Sequence, residues 1–398
     1  MALTDKSDVL TRGVEDIIIK KDFVEKLNSG TPLRLKMGFD PSAPDIHLGH
    51  TVGLRKLRQL QELGHKVVLI VGDWTAQIGD PSGRSQTRKM LTQNEVNENA
   101  KTYLDQFFKI IDKDKTEIRR QSEWFGDFNL TNVIELTSKF TVAQILARDD
   151  FNKRFKDNHP IAITELMYPL LQAYDSVAIE SDVEFGGSDQ RFNLLVGREL
   201  QQSVGMPPQQ CFIMPILPGT DGKMKMSKSL DNYIGITESP NDMFGKIMSI
   251  PDELIIPYFE LLTDTPTTEI TEIKKAIEDS SGNPMDLKKQ VASIIVNDFH
   301  DKDSSIKSRN FFEETIQKKN TPEDIPEYVL AKLSKNPNLK LANVLVETNL
   351  ASSIAEARRL ISQGAVKLND NPITENIAVS HINTGVLKVG RRRYLRLT

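Results

Sequence analysis

Between Leu33 and Phe39 the chain alternates. Leu33, Leu35, Met37 and Phe39 face one way and Arg34, Lys36 and Gly38 the other, the period of a β-strand. Asp40-Pro41-Ser42-Ala43-Pro44 interrupts the pattern, and Asp45 is placed to cap a helix. Leu54, Leu57, Leu60 and Leu63 then recur at helical spacing, with Gly64 placed to end the helix. Val67 to Val71 is a continuous apolar run, as in a strand buried on both faces. Together they predict a βαβ unit with a right-handed crossover.

The alternation returns downstream. Glu165 to Ile179 reads as a helix and Val183 to Phe185 as a short strand. Ser188 or Asp189 is expected to cap a helix running through Val204, and Cys211 to Leu217 looks like another strand. After about Ile250 the pattern is mostly helical. Asn320 to Asn338 holds three prolines and little periodicity, which predicts a linker. Beyond it, Ser353-x-x-Glu356 is a capping-box signature and Gly364 suits the end of that helix. Short strands follow around Val366 to Leu368, Val386 to Val389 and Tyr394 to Leu397. The expected architecture is α/β. A Rossmann-like parallel-sheet domain spans 1–235, followed by a helical domain at 236–320, a linker at 321–338 and a small α+β module at 339–398.

Composition narrows the class. With 398 residues, 38% hydrophobic and 27% charged, the chain argues against disorder, collagen and coiled coil and has length for two or three domains. No apolar run approaches the roughly 18 residues of a membrane span. Met1 to Gly13 lacks a basic start followed by an apolar block, so no signal peptide is expected. The single cysteine, Cys211, excludes an intramolecular disulfide and any CxxC knuckle. The expectation is a reduced, cytoplasmic protein. Charge is uneven: Leu339 to Thr398 carries nine Lys/Arg against four acids, a net +5, while the whole chain is −4. A basic module on an acidic body points to a polyanionic partner, or to a solvated basic surface.

Two clusters carry candidate chemistry. In Asp45-Ile46-His47-Leu48-Gly49-His50, His47 and His50 share a helix face near an N-terminus, where free N–H groups and the helix dipole favour an anion. Gly49 leaves room for a flat ligand against the backbone. Two exposed histidines decorating a helix start are the plain alternative, and no further ligand at useful spacing supports a metal site. In Lys225-Met226-Ser227-Lys228-Ser229, two lysines on a Gly-bearing loop can close over a triphosphate, although most such runs are solvated loops. The chain lacks both GxxxxGK[ST] and GxGxxG, so phosphate handling is built otherwise. Tyr168, Gln172 and Asp175 stand at i, i+4 and i+7 on an apolar helix, a polar stripe that lines a pocket or faces solvent.

The ordered pair HLGH (His47 to His50) and KMSKS (Lys225 to Ser229) resembles the signature of class I aminoacyl-tRNA synthetases. Gly38 to Pro44, Ile78 to Gly83, Leu171 to Asp175 and Gly186 to Gln190 narrow the resemblance to bacterial tyrosyl-tRNA synthetases. It covers the chain from about Phe23. The basic tail resembles the RNA-binding fold named after the fourth small-subunit ribosomal protein.

The resemblance implies a tyrosine–tRNA ligase that uses ATP, with Mg²⁺ carried on it and no protein-bound metal, acts on tyrosine tRNA, and forms a homodimer through an insertion at about 127–163. It implies that Asp80, Tyr168 and Gln172 hold the substrate ammonium, Asp175 its phenol hydroxyl and Gln190 its carboxylate. Asp189 and Gly187 would meet the ATP ribose, and Asp40, Ser42 and Gly49 would border the nucleotide. His47, His50, Lys225, Ser227 and Lys228 would act on the phosphates, with Arg84 and Arg88 on an assisting loop. From the residues themselves, Arg391-Arg392-Arg393 with Tyr394 and Arg396 are placed to grip RNA phosphates and stack on a base, or are bland charge at a C-terminus, and Arg358 and Arg359 are expected to bind tRNA as well.

Two positions depart from the better-studied branch. Lys36 replaces a tyrosine that reads the substrate hydroxyl, and Arg191 replaces an aromatic. With the intact KMSKS they fit a second bacterial branch and leave open what partners Asp175. The alternatives are a tryptophanyl-tRNA synthetase, a generic nucleotidyltransferase and an RNA-binding paralogue without catalysis. Asp175 suits a phenol better than an indole, and the tail argues against the first two.

Overall fold

The computed structural model describes residues 6–41, 45–82, 91–318, 325–329, 339–382, 384–390 and 393–398. Ser42, Arg84, Arg88, Arg391 and Arg392 therefore lie outside the described residues, as does most of the segment read as a linker. The chain divides into two compact units, Met1–Glu238 with Ser249–Val291, and Ser239–Met248 with Ala292–Thr398. The helices expected over 236–320 are thus shared between the two. Among the described residues no helix is long and apolar enough to cross a membrane.

The first unit is built on six strands: β1 (Asp16–Ile18), β2 (Arg34–Phe39), β3 (Lys66–Val71), β4 (Thr116–Arg120), β5 (Val183–Gly187) and β6 (Gln210–Met214). Their order is β1-β6-β5-β2-β3-β4, all parallel except β1, which pairs antiparallel with β6 at the edge. The predicted βαβ unit is β2, the Leu48–Glu62 helix and β3, with Arg34 opposite Lys66 and Phe39 opposite Val71. β3 is buried from Val67 to Val71, as its unbroken apolar run requires. Its helix buries Leu54, Leu57 and Leu60, and Gly64 follows with φ +95°, a backbone conformation that favours glycine.

The chain leaves β2 toward β3 on one side, while β5 lies on the other. The crevice outside the carboxyl ends of β2 and β5 is therefore a topological switch point, the place where open parallel sheets bind ligands. Asp40 follows β2 and Asp189 follows β5.

Three local readings change and two strands are added. The helix after β2 starts at Leu48 with His47, not Asp45, as its extended N-cap residue, because backbone bonds to Ile234 and Ile236 and the bridge to Gly235 hold Ile46 and His47 extended. Ser188 to Gln190 form a 3₁₀ turn, so the helix Arg191–Ser203 begins after Gln190 rather than on a Ser188 or Asp189 cap. The Cys211 strand spans Gln210–Met214 and ends before Pro215. β1 and β4 carry too little alternation to stand out in the sequence; β4 is a half-buried edge of mixed charge, Thr-Glu-Ile-Arg-Arg.

The second unit carries a five-stranded sheet: β7 (Glu327–Tyr328), β8 (Val366–Leu368), β9 (Asn371–Ile373), β10 (Gly385–Val389) and β11 (Arg393–Leu397), ordered β7-β11-β10-β8-β9. β7 comes from the stretch read as a linker, pairing in parallel with β11 although two residues show no period. Leu341, Leu345, Ala357, Ile361, Val366, Leu387 and Leu397 form its core. Ser353 caps the Ile354–Ser362 helix by accepting from Glu356 N at 3.2 Å. The Glu356 carboxylate returns to Ser352, one residue earlier than a capping box requires.

Candidate active site

Two adjoining cavities occupy the crevice. One, of about 360 Å³, is lined by Asp45, His47, Gly49, His50, Gly187, Asp189, Lys225, Ser227 and Lys228 among others. The second, of about 280 Å³, is lined by Asp40, Asp80, Gln121, Tyr168, Gln172, Asp175 and Gln190, with Met37, Phe39, Ile70 and Phe185 as apolar walls. They share Met37, His50, Tyr103, Gly187 and Asp189. The two sequence clusters, some 180 residues apart, thus meet at one place.

Backbone pairing brings them together. Leu48 N donates to Ile234 O at 2.9 Å and His47 bridges Gly235, so the segment after the lysine loop is laid against the helix tip. The loop is built around Asn232, which is buried. Its Oδ1 accepts from Ser227 N at 2.8 Å, and its Nδ2 donates to Asp221 Oδ2 and Lys225 O. Gly219 is required beside it, since a Cβ there would lie 2.3 Å from the Asn232 side chain. Lys225 Nζ reaches Asp189 Oδ2 at 2.9 Å, and Lys228 Nζ stands 3.8 Å from Asp45. Ser227 Oγ bonds to Ser229 Oγ.

His47 and His50 pack ring against ring at 3.9 Å. His47 N donates to His50 Nδ1 at 3.2 Å, which places the His50 proton on Nε2. Burial, then the neighbouring charges of Lys228 and Lys225, hold both imidazoles neutral: His50 at about 4, where the His47 backbone bond opposes the shift, and His47, beside His50 as well, at about 2. Positive charge at this end of the crevice therefore rests on the lysines rather than the imidazoles. His47 Nδ1 is buried without a hydrogen-bond partner among the described residues. Gly49 has a reason unforeseen in the sequence: a Cβ would come within 3.0 Å of the His47 ring.

The Tyr168–Gln172–Asp175 stripe faces the second cavity, not solvent. Tyr168 and Asp175 are buried and Gln172 half-buried. Tyr168 OH donates to Asp40 Oδ2 at 2.8 Å, and Asp40 Oδ1 also accepts from Thr75. Gln121 Nε2 donates to both Asp175 oxygens at 3.1 and 2.9 Å, its Oε1 held by Thr75 N. Burial pushes the Asp175 carboxyl up to about 7 against the lowering effects of Lys36 and Gln121.

Lys36, the departure noted in the sequence, is fully buried. Its ammonium pairs with Glu184 at 2.9 Å and donates to Gln172 O and Ser176 Oγ. Those three acceptors use its three N–H groups. Gln190 Nε2 donates to Asp80 Oδ2 at 2.7 Å. Arg191 points away to Asp16. Gln121, Asn193, Asn232 and Glu184 carry no sequence signal, because a buried amide or acid is read only from what surrounds it.

In the second unit Arg358 and Arg359 are exposed on the capped helix. Arg393 is half-buried and donates to Leu350 O at 2.7 Å. Tyr394 does not offer a free ring. It is buried beneath Lys388 and packs edge-on against Phe311.

Comparisons with known proteins give the family. Residues 28–317 match the family model for tRNA synthetases class I (W and Y), and 339–380 match the S4 domain. A tyrosine–tRNA ligase of Dehalococcoides mccartyi strain CBDB1 is 57% identical over 387 residues, 97% of this chain and 96% of its own length. The tyrosine–tRNA ligase of Carboxydothermus hydrogenoformans is 50% identical, covering 98% of this chain and 97% of its own. Tyrosyl-tRNA synthetase from Archaeoglobus fulgidus, solved with L-tyrosine, superposes with a TM-score of 0.62 at 22% identity, over 77% of this chain and 99% of its own. That last likeness is one of fold.

Proposed function

We propose, for a chain that belongs to the class I tRNA synthetases of tryptophan and tyrosine, that it activates L-tyrosine with ATP and passes the tyrosyl group to the 3′ end of tyrosine tRNA, releasing pyrophosphate and AMP. One observation carries the reading of the site. A slot holding Asp175, Gln172, Asp80 and Gln190 opens into the cavity that holds His50, Asp189, Lys225 and Lys228.

In this reading Asp175 accepts the phenol hydrogen bond, with Gln121 holding its carboxylate in place. Phenylalanine leaves that buried carboxyl one hydrogen bond short, with Gln121 as its remaining partner, and indole brings an N–H at a different reach. Asp80, Tyr168 and Gln172 take the ammonium, and Gln190 the carboxylate. Asp189 takes the ribose, and Gly187 leaves it room; a Cβ there would lie 2.9 Å from Asp189 Oδ1. Asp40 borders the nucleotide through Tyr168.

The carboxylate oxygen attacks the α-phosphorus in line, and the bond to pyrophosphate breaks with its electron pair leaving on pyrophosphate. Lys225 and Lys228 supply positive charge where it develops, and His47 and His50 donate as neutral imidazoles. Mg²⁺ enters with ATP as part of the substrate. Catalysis is placement and charge, with no covalent enzyme intermediate.

Two partners complete the reading. Arg358 and Arg359 on the S4-like unit are exposed basic residues placed to meet tRNA phosphates, as are Lys340 and Lys367. Leu130, Ile134, Val142, Phe155 and Ile163 are exposed, all within the segment expected to form a homodimer. A second copy covering that apolar face is the occupant that fits.

The test is pyrophosphate exchange into ATP with single amino acids. Exchange with tyrosine is expected. Exchange with tryptophan instead moves the substrate assignment, and exchange with none favours the RNA-binding paralogue.

A further inference from the structure

Arg148 stands outside both cavities, on the residue before the helix Asp149–Lys156, and its side chain is buried. No motif marks it. Its guanidinium is held by Asp150 at 2.8 Å and packs 5.1 Å over the Phe151 ring, so the fork has one direction. Nη1 donates to Asn193 Oδ1 at 3.2 Å, and Nη2 donates to Ser82 Oγ at 2.6 Å with Asp80 Oδ1 at 3.8 Å.

These two bonds propagate because each receiving group has one compatible polarity. An Asn193 oxygen occupied by Arg148 leaves its Nδ2 to donate to Gln172 Oε1 at 3.1 Å, whose Nε2 is held by Glu184 at 3.0 Å, and to Gln190 Oε1 at 2.9 Å. Gln190 must then present Nε2, which it aims at Asp80 and Ser82. Ser82 Oγ, accepting from Arg148, turns its own proton to Asp80 Oδ1 at 2.6 Å. An amide has two nearly isosteric orientations, and a flipped Gln190 would set a carbonyl oxygen against a carboxylate.

We infer that Arg148 is a positioning residue for the amino-acid end of the substrate, fixing the Gln190 and Gln172 amides through Asn193 and Asp80 through Ser82. The inference rests on the proposed roles of Gln190, Gln172 and Asp80, and it adds a residue that touches neither substrate nor ATP. Lysine is no substitute, since one ammonium cannot span Asn193 and Ser82 as a fork does.

The test measures pyrophosphate exchange by Arg148→Met, Arg148→Lys and Asn193→Asp, the last keeping Arg148 paired while deleting the onward donor. Tyrosine KM is expected to rise on the order of tenfold or more, as for loss of bonds to charged groups, with ATP KM within about twofold of the parent. Competitive inhibition by 4-methylphenol, which has the phenol but neither ammonium nor carboxylate, is expected to stay within about twofold as well. Should Arg148→Met fail to fold, Asn193→Asp decides alone. Weakening of tyrosine, ATP and 4-methylphenol together, or an unchanged tyrosine KM, overturns the inference. Absence of tyrosine-dependent exchange in the parent overturns the functional reading instead.

Discussion

Lys225 Nζ lies 2.9 Å from Asp189 Oδ2, so the loop lysine holds the carboxylate proposed to take the ribose. One oxygen cannot serve both at full strength. In the proposed reading, nucleotide binding exchanges the ammonium for the ribose hydroxyls and leaves the lysine to meet the charge that develops on the phosphates. Lys225→Ala is therefore expected to lower kcat for exchange about tenfold or more, with ATP KM unchanged or lower, because the interaction is made only in the transition state. A raised ATP KM at constant kcat would make Lys225 a ground-state contact.

Lys36 and Glu184 form a fully buried pair. Lys36→Met leaves a buried carboxylate unpaired, which typically costs about 3–5 kcal/mol. The double variant Lys36→Met with Glu184→Gln removes both charges and is expected to recover more than half of that loss in urea unfolding. Equal destabilisation by single and double variants would show that the pair contributes packing rather than charge balance.

Asp175 carries a raised pKa of about 7 from burial. The folded state then holds a proton that the unfolded chain releases near the ordinary 3.8. Between those values the native form binds more protons, so this group's contribution to stability falls as pH rises, by up to about 1.4 kcal/mol per pH unit, and is flat above. Asp175→Asn lacks the effect. The stability difference between parent and variant, measured by urea unfolding from pH 5 to 8, is expected to move in the variant's favour up to about pH 7 and then level. A constant difference would remove the shift. The same variant is expected to lose discrimination between tyrosine and phenylalanine in exchange.

Arg358 and Arg359 predict a separation of the two half-reactions. Alanine at both is expected to raise the KM for tRNA several-fold and to flatten its salt dependence, with tyrosine-dependent exchange unchanged. A matching fall in exchange would make the pair structural.

Much of the fold is legible in the amino-acid sequence. The βαβ unit, the buried β3 and the capped helix after Ser353 follow from periods and caps, which are local. The pairing of HLGH with KMSKS depends on contacts nearly two hundred residues apart, and only the resemblance joined them. β7 and β9 are too short for a period, and Pro372 sits within β9 at the sheet's edge, where a strand tolerates proline. The amides Gln121, Asn193 and Asn232 were silent because their value lies in orientation, which the fold alone sets. Tyr394 misleads for a related reason: its basic neighbours suggest an exposed ring, while Phe311 and Lys388 cover it on the sheet face opposite Leu395 and Leu397.

In the proposed mechanism the imidazoles at the helix tip and the ammonium groups of the late loop act on the same developing charge. A double-mutant cycle on single-turnover adenylate formation tests it most directly, with His50→Gln, Lys228→Ala and the pair. Groups that share a charge couple, and the combined loss is expected to fall short of the two single losses added by on the order of 1 kcal/mol or more. Additive losses would place the two residues on separate events and contradict the account.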